Sequence, residues 1–389
     1  MSRHDQILVV DDDPGMRRAI ERVLSPAYRL ASVAGATEAM GLLERQDFDL
    51  ALVDVRLKDG DGYSLCQAIR ARRPETDVIL ITGSISEPDE KLFRSLEEGA
   101  FYFLFKPFDR RVLLALVERC LRLQRERDTK ERYARALADD LEKARLFQHS
   151  LLPRGPVAVE GWRAEGRLLS CDALGGDFYL TQPVDGGLAV SVSDVVGHGV
   201  SAAMYAGMLR STLDAARRRS ADPDRVSREL LAGIDFFAGA ACATLVYALL
   251  LPDGRARFFS AGHPPLLWQR ADAGTIEQLP STGLLLNRLF RDRPLPAREI
   301  ALAPGDRLLI STDGAFEARN PADQELGFDR LEAALAATRD LALGAAVDAL
   351  MSLVRAFCGG RPVMDDVTLV LVEREGEAAV RSAVPSDTD

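Results

Sequence analysis

Four short apolar runs, each ending at an Asp, Thr or Lys, constrain the first 125 residues more than any other feature of this chain. Ile7–Val10 leads into Asp11 and Asp12, Leu50–Val53 into Asp54, Val78–Ile81 into Thr82, and Phe101–Phe105 into Lys106. Runs without polar alternation suit strands buried on both faces, and the amphipathic stretches between them suit crossover helices. The pattern is that of an open, doubly wound α/β fold with a parallel sheet. In that architecture sites lie at the carboxyl ends of the strands, which is where these polar residues fall.

The chemistry follows from that placement. Carboxylates crowded at one sheet edge repel one another unless a hard divalent cation joins them. A carboxylate is also a nucleophile able to form an acyl phosphate, and a Lys and a hydroxyl stabilise the charge so added. Pro107 directly after Lys106 opens the option of a cis bond that aims the ammonium group. Helix capping ahead of Pro14 is the plainer account of Asp11–Asp13. It explains neither Asp54, nor Thr82, nor Lys106.

From Leu113 a seam at 3,4 spacing runs through Leu116, Cys120, Leu123, Arg127, Lys130, Ala134, Leu137, Leu141, Ala144 and Gln148 to Leu151. Such spacing marks a coiled coil, and Pro153, Gly155 and Pro156 stop it. A helix of about 40 residues spans roughly 60 Å. Its apolar seam calls for a partner, so the expectation is a parallel homodimer through this linker. The alternative is a single helix packed on its own domains.

Beyond the linker, Leu188–Ser193, Ala243–Leu251, Arg255–Ser260, Arg307–Ser311 and Val367–Val372 read as strands, and 199–219, 223–236, 328–338 and 343–357 as helices. Pro252-Asp253-Gly254 reads as a hairpin turn. The order is not a regular βαβ alternation, so an antiparallel sandwich flanked by helices is expected. Four carboxylates stand at turns beside apolar strands. They are Asp177 in Gly175-Gly176-Asp177-Phe178, Asp194 in Ser193-Asp194-Val195-Val196-Gly197-His198-Gly199, Asp313 in Ser311-Thr312-Asp313-Gly314, and Asp365, followed by Asp366. Several carboxylates suit a two-metal site that activates water for attack on phosphorus. Taken singly each motif is weak; Asp313-Gly314 alone is an ordinary turn.

Composition narrows the classes. With 389 residues the chain has length for two full cores, and its net charge of −10 argues against nucleic-acid binding, as does the lack of a basic recognition helix. No apolar run reaches membrane-spanning length, so no membrane association is expected. The five scattered cysteines form no Cys-x-x-Cys and suit reduced thiols in a cytoplasmic protein, and with four histidines any metal falls to carboxylates, favouring Mg or Mn.

On Val9-Val10-Asp11-Asp12, Val53-Asp54, Thr82-Gly83 and Lys106-Pro107, the first segment resembles the receiver domain of bacterial response regulators. The resemblance implies a (βα)5 domain with Asp54 as phosphoacceptor. It implies Mg2+ held by Asp11, Asp12, Asp54 and the Arg56 carbonyl, phosphoryl sensing by Thr82 and Lys106, and a cognate sensor histidine kinase. Phe103 falls at the aromatic switch position, where family members often carry Tyr, so its switch is by packing alone.

The later motifs, with Gln148-His149-Ser150-Leu151-Leu152-Pro153, Ala243-Thr244-Leu245, Ser260-Ala261-Gly262-His263-Pro264-Pro265 and Asp365-Asp366-Val367-Thr368, resemble the SpoIIE/RsbU-like metal-dependent protein phosphatases. The resemblance implies an α-β-β-α sandwich with two Mg2+ or Mn2+ ions and catalytic Asp177, Asp194, Asp313 and Asp365. Asp194 would bridge the ions, the Val195 carbonyl would assist, and Asp366 is a further candidate ligand. Where the family often continues with another Asp, this chain has Leu180 after Phe178-Tyr179. The organisation so expected is a receiver over 1–122, a coiled-coil linker over 123–153, a phosphatase domain over 154–374 and a disordered tail over 375–389. The implied function is a response regulator whose phosphorylation at Asp54 controls a serine/threonine phosphoprotein phosphatase. Its implied substrate is a phosphorylated STAS-type anti-sigma-factor antagonist in a partner-switching pathway. The rival is a catalytically silent adaptor that binds a sigma-factor regulator in a phosphorylation-dependent way.

Overall fold

A computed structural model of the chain describes residues 5–83, 102–237, 239, 241–272 and 274–376. The expected strand residue Phe101 and the expected disordered tail beyond Gly376 lie outside the described residues. The chain divides into two compact units, Met1–Leu137 and Ala138–Asp389.

The first unit contains β1 (Gln6–Val10), α1 (Pro14–Leu24), β2 (Arg29–Val33), α2 (Ala36–Leu43), β3 (Leu50–Asp54), a small hairpin of β4 (Arg56–Leu57) and β5 (Gly60–Asp61), α3 (Gly62–Arg72), β6 (Asp77–Thr82), β7 (Tyr102–Phe105) and the start of α4 (Arg110–Ser150). The main sheet has the order β2-β1-β3-β6-β7, and every neighbouring pair is parallel. Residues alternate between its two faces. Leu8, Val10, Ala51 and Val53 pack with α2 and α3, whereas Ile7, Val9, Leu50 and Leu52 pack with Ile20, Leu24, Leu113 and Val117 of α1 and α4. Burial on both faces explains why these strands read as unbroken apolar runs. β2 escapes that signature because it is an edge strand with no fully buried residue.

Local chemistry sets the helix starts. Asp13 is the N-cap of α1 and accepts the Gly15 N–H (2.8 Å), with Pro14 at the first helical position. Asp13 thus takes the capping role weighed for the whole acidic run. α2 has a glycine cap, and its first N–H groups, from Ala36 and Thr37, go instead to the Asp59 carboxylate at 2.9 and 3.0 Å.

The helix α4 runs for 41 residues. Its first turns bury Leu113, Val117, Cys120, Leu121 and Gln124, and the Gln124 amide donates to the Glu75 carbonyl. Every residue from Glu131 to Asp140 is exposed, including Leu137 of the predicted seam at 61%.

The second unit continues with β8 (Val157–Val159), β9 (Trp162–Leu169), β10 (Phe178–Val184), β11 (Gly187–Val195), α5 (Val200–Arg219), α6 (Pro223–Gly233), β12 (Ala243–Leu250), β13 (Arg255–Ala261), β14 (Leu266–Gln269), β15 (Ile276–Leu279), β16 (Arg298–Ala301), β17 (Arg307–Ser311), α7 (Asp313–Phe316), α8 (Gly327–Ala337), α9 (Leu343–Phe357) and β18 (Val367–Arg374). Two antiparallel sheets form, in the orders β10-β11-β12-β13-β16 and β15-β14-β17-β18-β9-β8. Trp162, Val190, Phe258, Trp268, Ile310 and Val370 fill the space between them. α5 and α6 cover the outer face of the first sheet and α8 and α9 that of the second. The layering is helix, sheet, sheet, helix. Each fully buried side chain of this kind contributes about 1.5–3 kcal/mol of transfer free energy. The turn at Pro252–Gly254 joins β12 to β13, closed by the Gly254 N–H to the Leu251 carbonyl at 3.0 Å.

Candidate functional site

In the first unit the carboxyl ends of β1 and β3 bring Asp11, Asp12 and Asp54 together. A ligand oxygen from each lies within 4.8 Å of the others. Asp11 and Asp54 are buried, and Lys106 after β7 donates to both, 2.8 Å to Asp11 Oδ2 and 2.8 Å to Asp54 Oδ2. Burial raises the Asp54 pKa above its ordinary value, and the Lys106 ammonium and the Arg56 N–H act against that rise. Burial works to lower the Lys106 pKa, but its hydrogen bonds to Asp11 and Asp54 outweigh this and raise it. The Lys106-Pro107 bond is cis. Thr82 ends β6 and is buried, while Phe103 stands opposite Leu80 in β7, half-buried against the α3 side of the core. Gly62 presses on the backbone of Asp54 and Val55, where a Cβ would overlap the Asp54 carbonyl.

In the second unit the acidic motifs converge at the ends of β10, β11, β17 and β18. Asp177 is buried at the start of β10. Its Oδ2 accepts from the hydroxyls of Thr312 (2.8 Å) and Thr368 (2.6 Å), residues that precede α7 and lie in β18. Burial, then Asp194 and Asp366, raise the Asp177 pKa well above the carboxylate range. Asp194, near the end of β11, contacts the Asp177 carboxyl. It is pushed up to about 7 by burial and by the charges of Asp313, Asp365 and Asp366. Asp313 opens α7. Asp365 is exposed, and its pKa is raised by burial of part of its surface and by Asp313 and Asp366.

Asp366 is buried and holds a turn. Its Oδ1 accepts the Cys171 N–H (2.8 Å) and its Oδ2 the Asp177 N–H (3.3 Å). A Cβ on Gly175 would overlap that carboxylate, so this position requires glycine for close approach. Val195 is buried at the end of β11, with its carbonyl pressed against Gly176. His263 is buried and neutral: burial lowers its pKa to about 4, and Nδ1 meets the Pro264 carbonyl at 3.1 Å.

Sequence reading missed Thr312, Thr368 and Asp59. The two threonines stood inside the quoted Ser-Thr-Asp-Gly and Asp-Asp-Val-Thr motifs. A hydroxyl beside each acidic position was the available signal. Nothing local marks Asp59 as the cap of a helix more than 20 residues earlier.

Both sites fit a hard divalent cation. The donors are oxygens, and burial together with repulsion from neighbouring carboxylates raises the pKa of Asp194 and of Asp365. Among the described residues no Lys or Arg forms an ion pair with Asp177, Asp194, Asp313, Asp365 or Asp366. The two clusters differ in tightness. Among the described residues only the Asp11, Asp12, Asp54 group brings three ligand atoms within 4.8 Å.

Residues 7–118 match the family model of the response regulator receiver domain, and residues 184–375 that of stage II sporulation protein E (SpoIIE). The response regulator protein PilR of Pseudomonas aeruginosa is 34% identical over 176 residues, which are 43% of this chain and 38% of PilR. The transcriptional regulatory protein GltR of the same organism is 40% identical over 119 residues, 30% of this chain and 48% of GltR. The chain therefore spans less than half the length of these relatives. The structure of the SiaA-PP2C domain of Pseudomonas aeruginosa matches with a TM-score of 0.55 at 22% identity, over 63% of this chain and 99% of that one, a likeness of fold. The chain thus joins a response-regulator receiver domain to a SpoIIE-type domain. Phosphatases of the PP2C type generally depend on Mg2+ or Mn2+. Among the described residues no helix is long and apolar enough to cross a membrane.

Proposed function

We propose that the chain is a cytoplasmic serine/threonine phosphoprotein phosphatase controlled by phosphorylation of its own receiver domain. The observation that carries this reading is the pairing of two acidic sites on one chain. One has a lysine bridging two carboxylates, and the other is a carboxylate cluster with which, among the described residues, no Lys or Arg pairs. In the receiver, Asp54 would accept the phosphoryl group from a sensor histidine kinase. Asp11, Asp12, Asp54 and the Arg56 carbonyl would hold Mg2+. Lys106 would turn from Asp54 to the added phosphoryl oxygens, Thr82 would hydrogen-bond them, and Phe103 would repack.

In the second domain, Asp194 with the Val195 carbonyl, Asp313 and Asp365 would hold two Mg2+ or Mn2+ ions. Asp177 and Asp366 would complete the acidic set. Ions bound there acidify water and neutralise phosphate charge. The substrate we infer is a phosphorylated STAS-type anti-sigma-factor antagonist, and the proposed domain limits are 1–122, 123–153 and 154–374. The exposed seam of α4 around Leu137 supports a homodimer through the linker. Coupling between the domains would be worth about 1–3 kcal/mol.

Mn-dependent hydrolysis of p-nitrophenyl phosphate, with and without beryllofluoride, tests this in wild type and Asp194→Asn. The expected outcome is turnover that beryllofluoride changes and that falls at least about a hundredfold in Asp194→Asn, on the scale of 2.7 kcal/mol. Absence of both turnover and Mn binding by calorimetry would replace the reading with that of a silent adaptor.

A further inference from the structure

Thr244 stands in the Ala-Thr-Leu stretch that opens β12, a motif the functional reading leaves unused. In the first sheet it is the direct cross-strand partner of Asp194. Side chains along a strand alternate between faces, and directly opposite residues share one, with Cβ atoms about 4.5–5.5 Å apart. The inner row of β11 runs Val190, Val192, Asp194, and that of β12 runs Ala248, Val246, Thr244. The valines and the alanine fill the space between the two sheets, whereas Ala243 and Leu245 pack on the outer face under α5 and α6. In the second sheet the inner row of β18 passes through Val372 and Val370 to Thr368. These rows therefore end in Asp194, Thr244 and Thr368.

The two threonines differ in one respect. The Thr368 hydroxyl donates to Asp177 Oδ2 at 2.6 Å. The Thr244 hydroxyl is buried, and among the described residues it has no hydrogen-bond partner. Three other hydroxyls share that condition, and the sheet register separates them from Thr244. Ser32 stands beside Val9, Thr181 opposite Val190 and Ser311 opposite Leu369. Thr244 alone of the four faces an acidic residue. A buried donor left without a partner is costly, so folded chains keep few of them. A carboxylate offers about four acceptor positions, enough to bind cations and take a hydroxyl as well.

We propose that Thr244 is a positioning residue for the phosphatase site. Its hydroxyl donates to the Asp194 carboxylate when that side chain serves the cations, and so fixes the rotamer the ions need. Thr244 then does for Asp194 what Thr368 does for Asp177. This rests on the phosphatase reading above.

The test uses the full chain with Thr244→Val, which removes the hydroxyl at nearly constant volume, and Thr244→Ser, which keeps it. Hydrogen exchange in peptides covering 190–197 is followed as Mn2+ is added, a readout confined to the second unit. The Mn concentration for half-maximal protection is expected to rise about tenfold in Thr244→Val, the equivalent of about 1.4 kcal/mol, and to stay within about threefold of wild type in Thr244→Ser. Without metal, exchange in these peptides is expected to match wild type in both variants, because the hydroxyl has no hydrogen bond there to lose. In the same preparations the Mn midpoint of p-nitrophenyl phosphate hydrolysis should shift in parallel, with kcat at saturating Mn within about twofold. Should Thr244→Val not fold, Thr244→Ala against Thr244→Ser makes the same comparison. An unchanged midpoint in the variant without a hydroxyl overturns the proposal. So does a serine variant as weak as that one, or a wild type that Mn2+ does not protect. A shifted midpoint in a chain whose wild type hydrolyses no phosphate ester keeps Thr244 as the holder of Asp194 and refutes the phosphatase reading instead.

Discussion

Two aspartates adjacent in sequence, Asp365 and Asp366, show how much a single position is decided by its surroundings. One is exposed, and the other is buried with two backbone N–H groups on its carboxylate. Gly175 owes its identity to that carboxylate. Gly175→Ala is expected to cost about 1–3 kcal/mol of stability, as overpacking does. It should also cut phosphatase turnover more than tenfold. Denaturant unfolding and p-nitrophenyl phosphate kinetics check both, and turnover within twofold of wild type would contradict the geometry. His263 offers a pH test. Its folded pKa of about 4 lies below the unfolded value of about 6.5, so the unfolded chain binds the extra proton between these limits. The stabilisation is fully present above pH 6.5 and is lost as pH falls toward 4, by up to about 3 kcal/mol. His263→Gln removes this contribution. The stability difference between variant and wild type, followed by urea unfolding, should therefore move in the variant's favour by that amount across the window. A constant difference would show that His263 is not held neutral.

Among the elements, α4 departs furthest from what local periodicity alone implies. Its 3,4 seam runs from Leu113, but one stretch of it is buried and another exposed within a single chain. Leu113, Val117 and Leu121 pack on the receiver sheet, whereas Leu137 is exposed. Leu137→Asp is thus expected to leave unfolding of the isolated chain within about 0.5 kcal/mol of wild type. If the seam forms the dimer, the same change weakens self-association by about a hundredfold, read by sedimentation equilibrium. A wild-type chain that stays monomeric at high concentration would remove the dimer from the reading. The strands divide in a similar way. β3, β6, β11 and β12 are buried on both faces and were legible as apolar runs. β2, β9, β15 and β16 carry charged residues on exposed positions, or lie at or near sheet edges, and left too short a pattern to read.

At the scale of the whole molecule, two compact units with separate cores predict separable unfolding transitions, since multidomain chains depart from two-state behaviour. Beryllofluoride added to the Mg2+-saturated chain should raise only the receiver transition. At a hundredfold excess over Kd the gain is about 2.7 kcal/mol, or roughly 10 °C for a domain of this size. Mn2+ alone should raise the phosphatase transition as well. Asp54→Ala should abolish the beryllofluoride shift and leave basal phosphatase activity in place. Calorimetry of wild type and variant decides this, and equal shifts in both would rule out Asp54 as the acceptor. The sequence by itself carried the two-domain order, the doubly wound sheet with its acidic strand ends, the layered sandwich and the acidic motifs. All of these rest on periodicity and spacing within a few neighbouring residues. Only the tertiary structure decided that Asp13 caps α1 while Asp11 turns to Lys106, that Thr312 and Thr368 grip Asp177, that Asp366 is the buried member of its pair, and that Gln148 reaches Gly175. Those partners come from distant parts of the chain, and no local pattern records which residues close packing brings together.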